Sequence, residues 1–185
     1  MKLLDKFIRA WRVKVALSYL PVSTLSAFDI GCDDGFLLKQ LGRSVIRKEC
    51  VDPRISGDIS IDGLKLIKGY FPKALENHTT LGPYDVIFSL AVFEHFSEDD
   101  LQASATAISN LLSDHGRLIV TVPHPLVDRI LDVLLFLRLI DGQATEEHHG
   151  FNPTELEGYL SKTLKLIEAK RFQLGLNYVY VFGKK

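Results

Sequence analysis

The feature that most restricts the fold is a seven-residue turn. Residues 29–35 read DIGCDDG and join the apolar stretch at 26–30 to a second one, FLLKQL, at 36–41. A short apolar run that ends in glycine and resumes in a new rhythm is a strand passing into a helix. The turn holds two glycines, Gly31 and Gly35, and three acids, Asp29, Asp33 and Asp34. A dinucleotide site would need the G-x-G-x-x-G spacing, with a pyrophosphate against the helix N-terminus. Here Asp33 stands between the glycines. A carboxylate at that place repels a pyrophosphate and competes for the same amides. The turn predicts a ligand that carries cationic groups.

The rest of the chain repeats the strand–helix rhythm. Asp33 or Asp34 caps the helix after the turn, and Gly42 ends it. IRKECVDP is a second strand, stopped by Pro53. SGDISIDG is a loop of turn formers, LKLIKGYFP a third strand and KALENH a short helix. Val86–Leu90 is the apolar run of a buried strand. Ser97 caps a helix that Gly116 closes, and Pro123 ends a fifth strand. A strongly apolar helical stretch follows His124, then a polar loop with His148 and His149. Asn152 or Thr154 caps another helix, with Pro153 in its first turn, and the chain ends in a hairpin turning near Gly175. This predicts one α/β domain over residues 1–185. Its sheet is doubly wound, Rossmann-like and mostly parallel, with seven strands and a C-terminal antiparallel hairpin. Ligands on such sheets sit beyond the carboxyl ends of the strands, where strand order reverses.

Charge and cysteine content narrow the partners. The chain of 185 residues has 22 basic and 23 acidic residues, so its formal net charge is −1, which argues against a nucleic-acid partner. Cys32 and Cys50, the two cysteines, suggest neither a disulfide framework nor a metal site, and the simple expectation is a reducing cytoplasm. Residues 1–20 read as an amphipathic helix. Leu4, Phe7, Ile8, Trp11 and Val15 recur at helical spacing among Asp5, Lys6, Arg9, Arg12 and Lys14. The expectation is a helix packed on the domain, with contact to a membrane surface as the alternative.

Four ordered motifs carry a family resemblance. FDIGCDDG, CVDP, YDVIFSLAVFEHF and LLSDHGRLIVTVP resemble the sequence marks of the class I S-adenosylmethionine-dependent methyltransferases, in order and at suitable spacing. Asp33 replaces the usual middle glycine of the first motif. The resemblance implies S-adenosyl-L-methionine as cofactor. It places Asp29 near the methionine amino group, lets the backbone at Gly31 approach the cofactor, and gives Asp52 the ribose hydroxyls. Cys32, Asp33, Gly35, Pro53, Ser89 and Leu90 complete the implied cofactor shell. The acid that often meets adenine after the third strand is not evident, so Tyr70 or Phe71 is expected to offer an aromatic face.

The residues after Ser89 are LAVFEH, without the Asn/Asp-Pro-Pro-Tyr that marks methylation of amide or base nitrogens in this family. The stretch HPLVDRILDVLLFLRLIDG with EEHHGF resembles small-molecule methyltransferases, including ones similar to enzymes of glycan or lipid assembly, and this resemblance implies a small or a lipid- or glycan-linked acceptor. His95, His124 and His149 are the candidate bases, because histidine accepts a proton near neutral pH. No H-x-x-x-H or cysteine set accompanies them, so no metal is expected. Residues 124–151 are expected to form an acceptor-side lid, and the protein to be a monomer or homodimer. The alternatives are a non-catalytic module of the same fold, or a nucleotide-binding oxidoreductase-like domain.

Overall fold

The structure, a computed structural model, describes residues 3–61, 63–78, 81–124 and 152–185. The expected lid beyond His124, with His148 and His149, lies outside these residues.

Helix α1 spans Leu3–Leu17 and strand β1 Ser26–Ile30. Helix α2 spans Phe36–Gln40 and strand β2 Arg47–Asp52. Strands β3 (Ile59–Ile61), β4 (Leu64–Lys68) and β5 (Tyr84–Leu90) follow. Helix α3 spans Glu98–Leu111 and leads directly into β6, Leu112–Pro123. Helix α4 (Pro153–Leu160), β7 (Leu164–Phe172) and β8 (Asn177–Lys184) complete the described chain. The strands form one sheet in the order β3-β4-β2-β1-β5-β6-β8-β7. β1 is parallel to both β2 and β5, whereas β8 is antiparallel to both β6 and β7. This is the doubly wound sheet with a terminal hairpin that the sequence predicts, and strand order reverses at β1.

Alternating residues serve two cores. Phe28, Ile30, Ile87 and Val120 face a cluster that includes Leu101 and Ile108 of α3 and Leu156 of α4. Ala27, Cys50, Val86 and Phe88 face the other, with Val13 and Ala16 of α1 and Leu37 and Leu38 of α2. The period-two alternation of strands thus puts helices on both faces.

Four expectations change. The sheet has eight strands among the described residues, not seven, because Ile59–Ile61 pairs antiparallel with β4 at the edge. Turn formers hide so short a strand. Gly116 does not close α3 but lies inside β6, where a Cβ would come within 2.7 Å of the Tyr84 carbonyl oxygen. Cys32 and Cys50 form a disulfide, Cα–Cα 6.1 Å, because the crossover through α2 returns the chain beside its own starting strand. Finally, among the described side chains, the apolar stripe of α1 meets the core only through its last member, Val15. Phe7 and Trp11 are exposed, and the helix packs through Val13 and Ala16, with Arg9 and Arg12 on the same inward side.

Candidate active site

The carboxyl ends of β1, β2 and β5 meet at the reversal of strand order. The first strand delivers Asp29, which is 4% exposed and shares the α1/α2 face with Ala27 two residues earlier. Among the described residues no hydrogen-bond donor reaches its carboxylate. Burial pushes its pKa well above the usual carboxylate range; the Asp52 charge adds to the rise, and Arg9 opposes it.

The turn after β1 is left-handed at three places. Gly31 has φ 77°, Asp33 φ 51° and Gly35 φ 71°. A Cβ on Gly31 would also lie 2.3 Å from Val92 Cγ2. Glycine is therefore required there by the backbone angle and by the residue seated over the turn after β5. Asp33 adopts the same region as a non-glycine, and its conformation is held by a specific bond. Its backbone N–H donates to Asp52 Oδ2 at 2.8 Å. Asp52 Oδ1 accepts the Arg54 backbone N–H at 2.8 Å and its Nε at 3.4 Å. Asp52 is 1% exposed, yet a carboxylate has about four acceptor directions, so capacity remains. Two residues before Asp52, Cys50 anchors Cys32, and the Gly31 N–H donates to the Val51 carbonyl at 2.9 Å, so the turn is tied to β2 three times.

The charge of the turn is more nearly balanced than its sequence suggests. Arg9 of α1 pairs with Asp34 and approaches Asp33 at 3.9 Å, with its guanidinium 4.5 Å from the Phe36 ring centroid. Arg54 lies 3.7 Å from the other Asp33 oxygen. Asp34 also accepts the Phe36 backbone N–H at 3.0 Å, but the N-cap of α2 is the left-handed Gly35, so neither Asp33 nor Asp34 is the cap that the sequence predicts. Burial raises the Asp34 pKa, but the bond from Arg9, its charge and the Phe36 amide outweigh that and hold it low. Of the three acids, Asp29 is the one left for a cationic ligand.

The other expected residues separate into two groups. Leu90 and Pro53 are half-buried at the strand ends, and Cys32 is buried in its disulfide. Ser89 is fully buried on the α3 side, so only its backbone is available to a ligand. Phe71 is 5% exposed and packs 6.3 Å from Phe28 in the core, whereas Tyr70 is 71% exposed. The exposed ring of this stretch is Tyr70.

Toward the acceptor side, His95 is exposed at the end of the 3-10 turn Phe93–His95 after β5. His124 follows β6, stacks on Tyr178 at 5.6 Å and donates its backbone N–H to the Leu176 carbonyl at 2.8 Å. Both histidines thus lie on the carboxyl side of the sheet, as the sequence predicts.

Two residues were missed by sequence reasoning. Arg12 is enclosed on the inner side of α1, with its pKa lowered by burial, raised by the nearby Glu94 charge and lowered again by Arg9. Glu94 is 3% exposed. The signal was present in the helix: Arg9 and Arg12 are three apart and share one side.

Solved structures share this fold. A Pyrococcus horikoshii protein superposes with a TM-score of 0.71 at 14% identity, covering 98% of this chain and 92% of that one. A TehB-like S-adenosylmethionine-dependent methyltransferase from Corynebacterium glutamicum gives 0.65 at 15% identity, covering 98% and 97%. The fold is that of the class I methyltransferases. The N-methyltransferase NodS of Bradyrhizobium japonicum, in complex with S-adenosyl-L-homocysteine, matches at 0.65 and 11% identity, covering 99% of this chain and 88% of that one. No protein-family model matches the chain, and no curated protein does.

Proposed function

We propose that this methyltransferase fold is an active S-adenosylmethionine-dependent methyltransferase. The observation that carries the reading is Asp29: a buried carboxylate that no donor among the described residues reaches, at the reversal of strand order, beside a left-handed glycine turn. An uncompensated buried charge is costly unless a ligand completes it. The ammonium of a bound methionine moiety would do so. The similarity to solved methyltransferases, one of them in complex with S-adenosyl-L-homocysteine, supports the same cofactor.

In this reading Asp29 takes the ammonium and Asp52 uses its remaining acceptor capacity on the ribose hydroxyls. Gly31, Cys32, Asp33 and Gly35 shape the turn beneath the cofactor, with Pro53, the Ser89 backbone and Leu90 at its sides. Tyr70, rather than Phe71, offers the face for adenine. When bound, the cofactor supplies a methyl group already activated by its sulfonium. The protein's contribution is then mainly alignment of the acceptor. A hydroxyl acceptor also needs a base, and His95 and His124 are the proposed bases among the described residues, with His149 outside them.

The acceptor is proposed to be a small molecule or a lipid- or glycan-linked one: the missing Asn/Asp-Pro-Pro-Tyr element and the lack of basic excess argue against DNA, and the resemblance of the sequence after His124 to small-molecule methyltransferases supports the rest. The test is transfer of a labelled methyl group to a panel of soluble sugars, phenols, amines and lipid-linked glycans. Label on one acceptor class, lost in the Asp29→Asn variant, supports the reading. Tight cofactor binding with no transfer to any class favours the non-catalytic module instead.

A further inference from the structure

The outward face of α1 is apolar where a surface helix is ordinarily polar. Phe7 is 61% exposed and Trp11 37%, and their rings meet edge to face at 5.8 Å. They lie on the side of the helix opposite Val13 and Ala16, which enter the core. The inward side is given to charge instead: Arg9 neutralises Asp33 and Asp34, and Arg12 lies near Glu94. The helix is turned so that its arginines face the domain and its aromatic pair faces out.

The surroundings of that pair specify what would cover it. Lys14 is exposed beside Phe7 on this outer side, and Lys6 is exposed on the flank of the helix. Of the four basic residues of the helix, Arg9 and Arg12 face the domain, and Lys6 and Lys14 face solvent. Leu174, 94% exposed at the β7–β8 turn, adds a further apolar tip, and Gln173 Nε2 of that turn donates to the Ile8 carbonyl of α1 at 2.9 Å. Aromatic rings with flanking lysines suit the boundary between lipid headgroups and acyl chains, where rings enter and ammonium groups meet anionic phosphates. No helix among the described residues is long and apolar enough to cross a membrane. We propose that the Phe7–Trp11 face of α1, with Lys6, Lys14 and Leu174, docks the protein on the surface of an anionic bilayer.

Trp11 is the single tryptophan of the chain, so its fluorescence reads this face directly. The experiment titrates the full chain with vesicles of phosphatidylcholine alone and of phosphatidylcholine mixed with phosphatidylglycerol. The expected result is a blue shift with the anionic vesicles and quenching by brominated acyl chains. Phe7→Ser should lower the partition coefficient at least about tenfold, from the apolar area lost. Lys6→Glu and Lys14→Glu should each lower it about fivefold or more and remove the preference for anionic lipid. Circular dichroism checks that the variants stay folded, since all three positions are exposed. An unshifted spectrum with both vesicle types overturns the proposal. So does a blue shift that needs no lipid and tracks a doubled mass in sedimentation, which would assign the face to a second copy of the chain.

Discussion

Asp52 Oδ2 holds the backbone amide of Asp33 at 2.8 Å, and this bond joins the end of one strand to the turn after its neighbour. The same carboxylate holds the Arg54 amide at 2.8 Å. A side chain expected only to meet a ribose therefore also shapes the loop that cradles the cofactor. Asp52→Ala should cost about 1–3 kcal/mol of stability as well as weaken S-adenosylmethionine binding, the scale for hydrogen bonds to a charged group. Urea denaturation beside a binding titration checks both. A mutant with wild-type stability would remove the structural half of this role.

Asp29 should show the opposite sign in stability. Its native pKa lies above its unfolded value, chiefly through burial and then the Asp52 charge. It therefore contributes stability that is present below the ordinary carboxylate range and is lost as pH rises through the raised native value. Asp29→Asn keeps the shape and deletes the charge. The ligand-free variant should gain about 1 kcal/mol at neutral pH, read as a Tm rise of roughly 2–4 °C for a domain of this size. A Tm unchanged or lowered at neutral pH would contradict the buried, uncompensated charge.

Asp85 provides the acid-side counterpart. Its Oδ2 accepts the Leu25 and Ser26 amides at 2.9 and 3.0 Å and the Ser26 hydroxyl at 3.0 Å. Burial raises its pKa, but these bonds outweigh it and hold the value low. Its stability contribution is present above the unfolded carboxylate pKa and is lost as pH falls through the lowered native one. Asp85→Asn should lower stability by about 1–3 kcal/mol at neutral pH and flatten the acid limb of the stability curve. Denaturant midpoints measured from neutral pH into the acid limb decide the matter.

The Cys32–Cys50 bond closes a loop with a sequence separation of 18, worth about 3 kcal/mol on the chain-entropy model. Alkylation of the native, purified protein followed by mass spectrometry should find neither thiol, and reduction should shift the urea midpoint down by the corresponding amount. Two alkylated cysteines in a fully stable protein would show that the bond contributes nothing.

Much of this fold is visible in the chain because local signals agree. The first strand's bounds, Ser26–Ile30, follow from its apolar run and the glycine turn, and Ser97 is the cap of α3 that its hydroxyl suggests. What escaped depends on contacts distant in sequence. The disulfide requires the parallel register that sets Asp29 opposite Cys50. The inward cations of α1 require knowing that Asp33, Asp34 and Glu94 await them. Hydrophobic spacing predicts the opposite face. Phe71 and Tyr70 are adjacent, and only packing against Phe28 shows which ring is taken by the core.

The central claim is that Asp29 binds the cationic end of S-adenosylmethionine. The most direct measurement is isothermal titration of the wild type and Asp29→Asn with S-adenosylmethionine, S-adenosylhomocysteine and NAD. The account predicts one-to-one binding of the first two, no binding of NAD, and at least a roughly tenfold loss of affinity in the variant, the scale of a charged hydrogen bond. Wild-type binding of NAD in place of S-adenosylmethionine would contradict it, as would a variant that binds S-adenosylmethionine as tightly as the wild type.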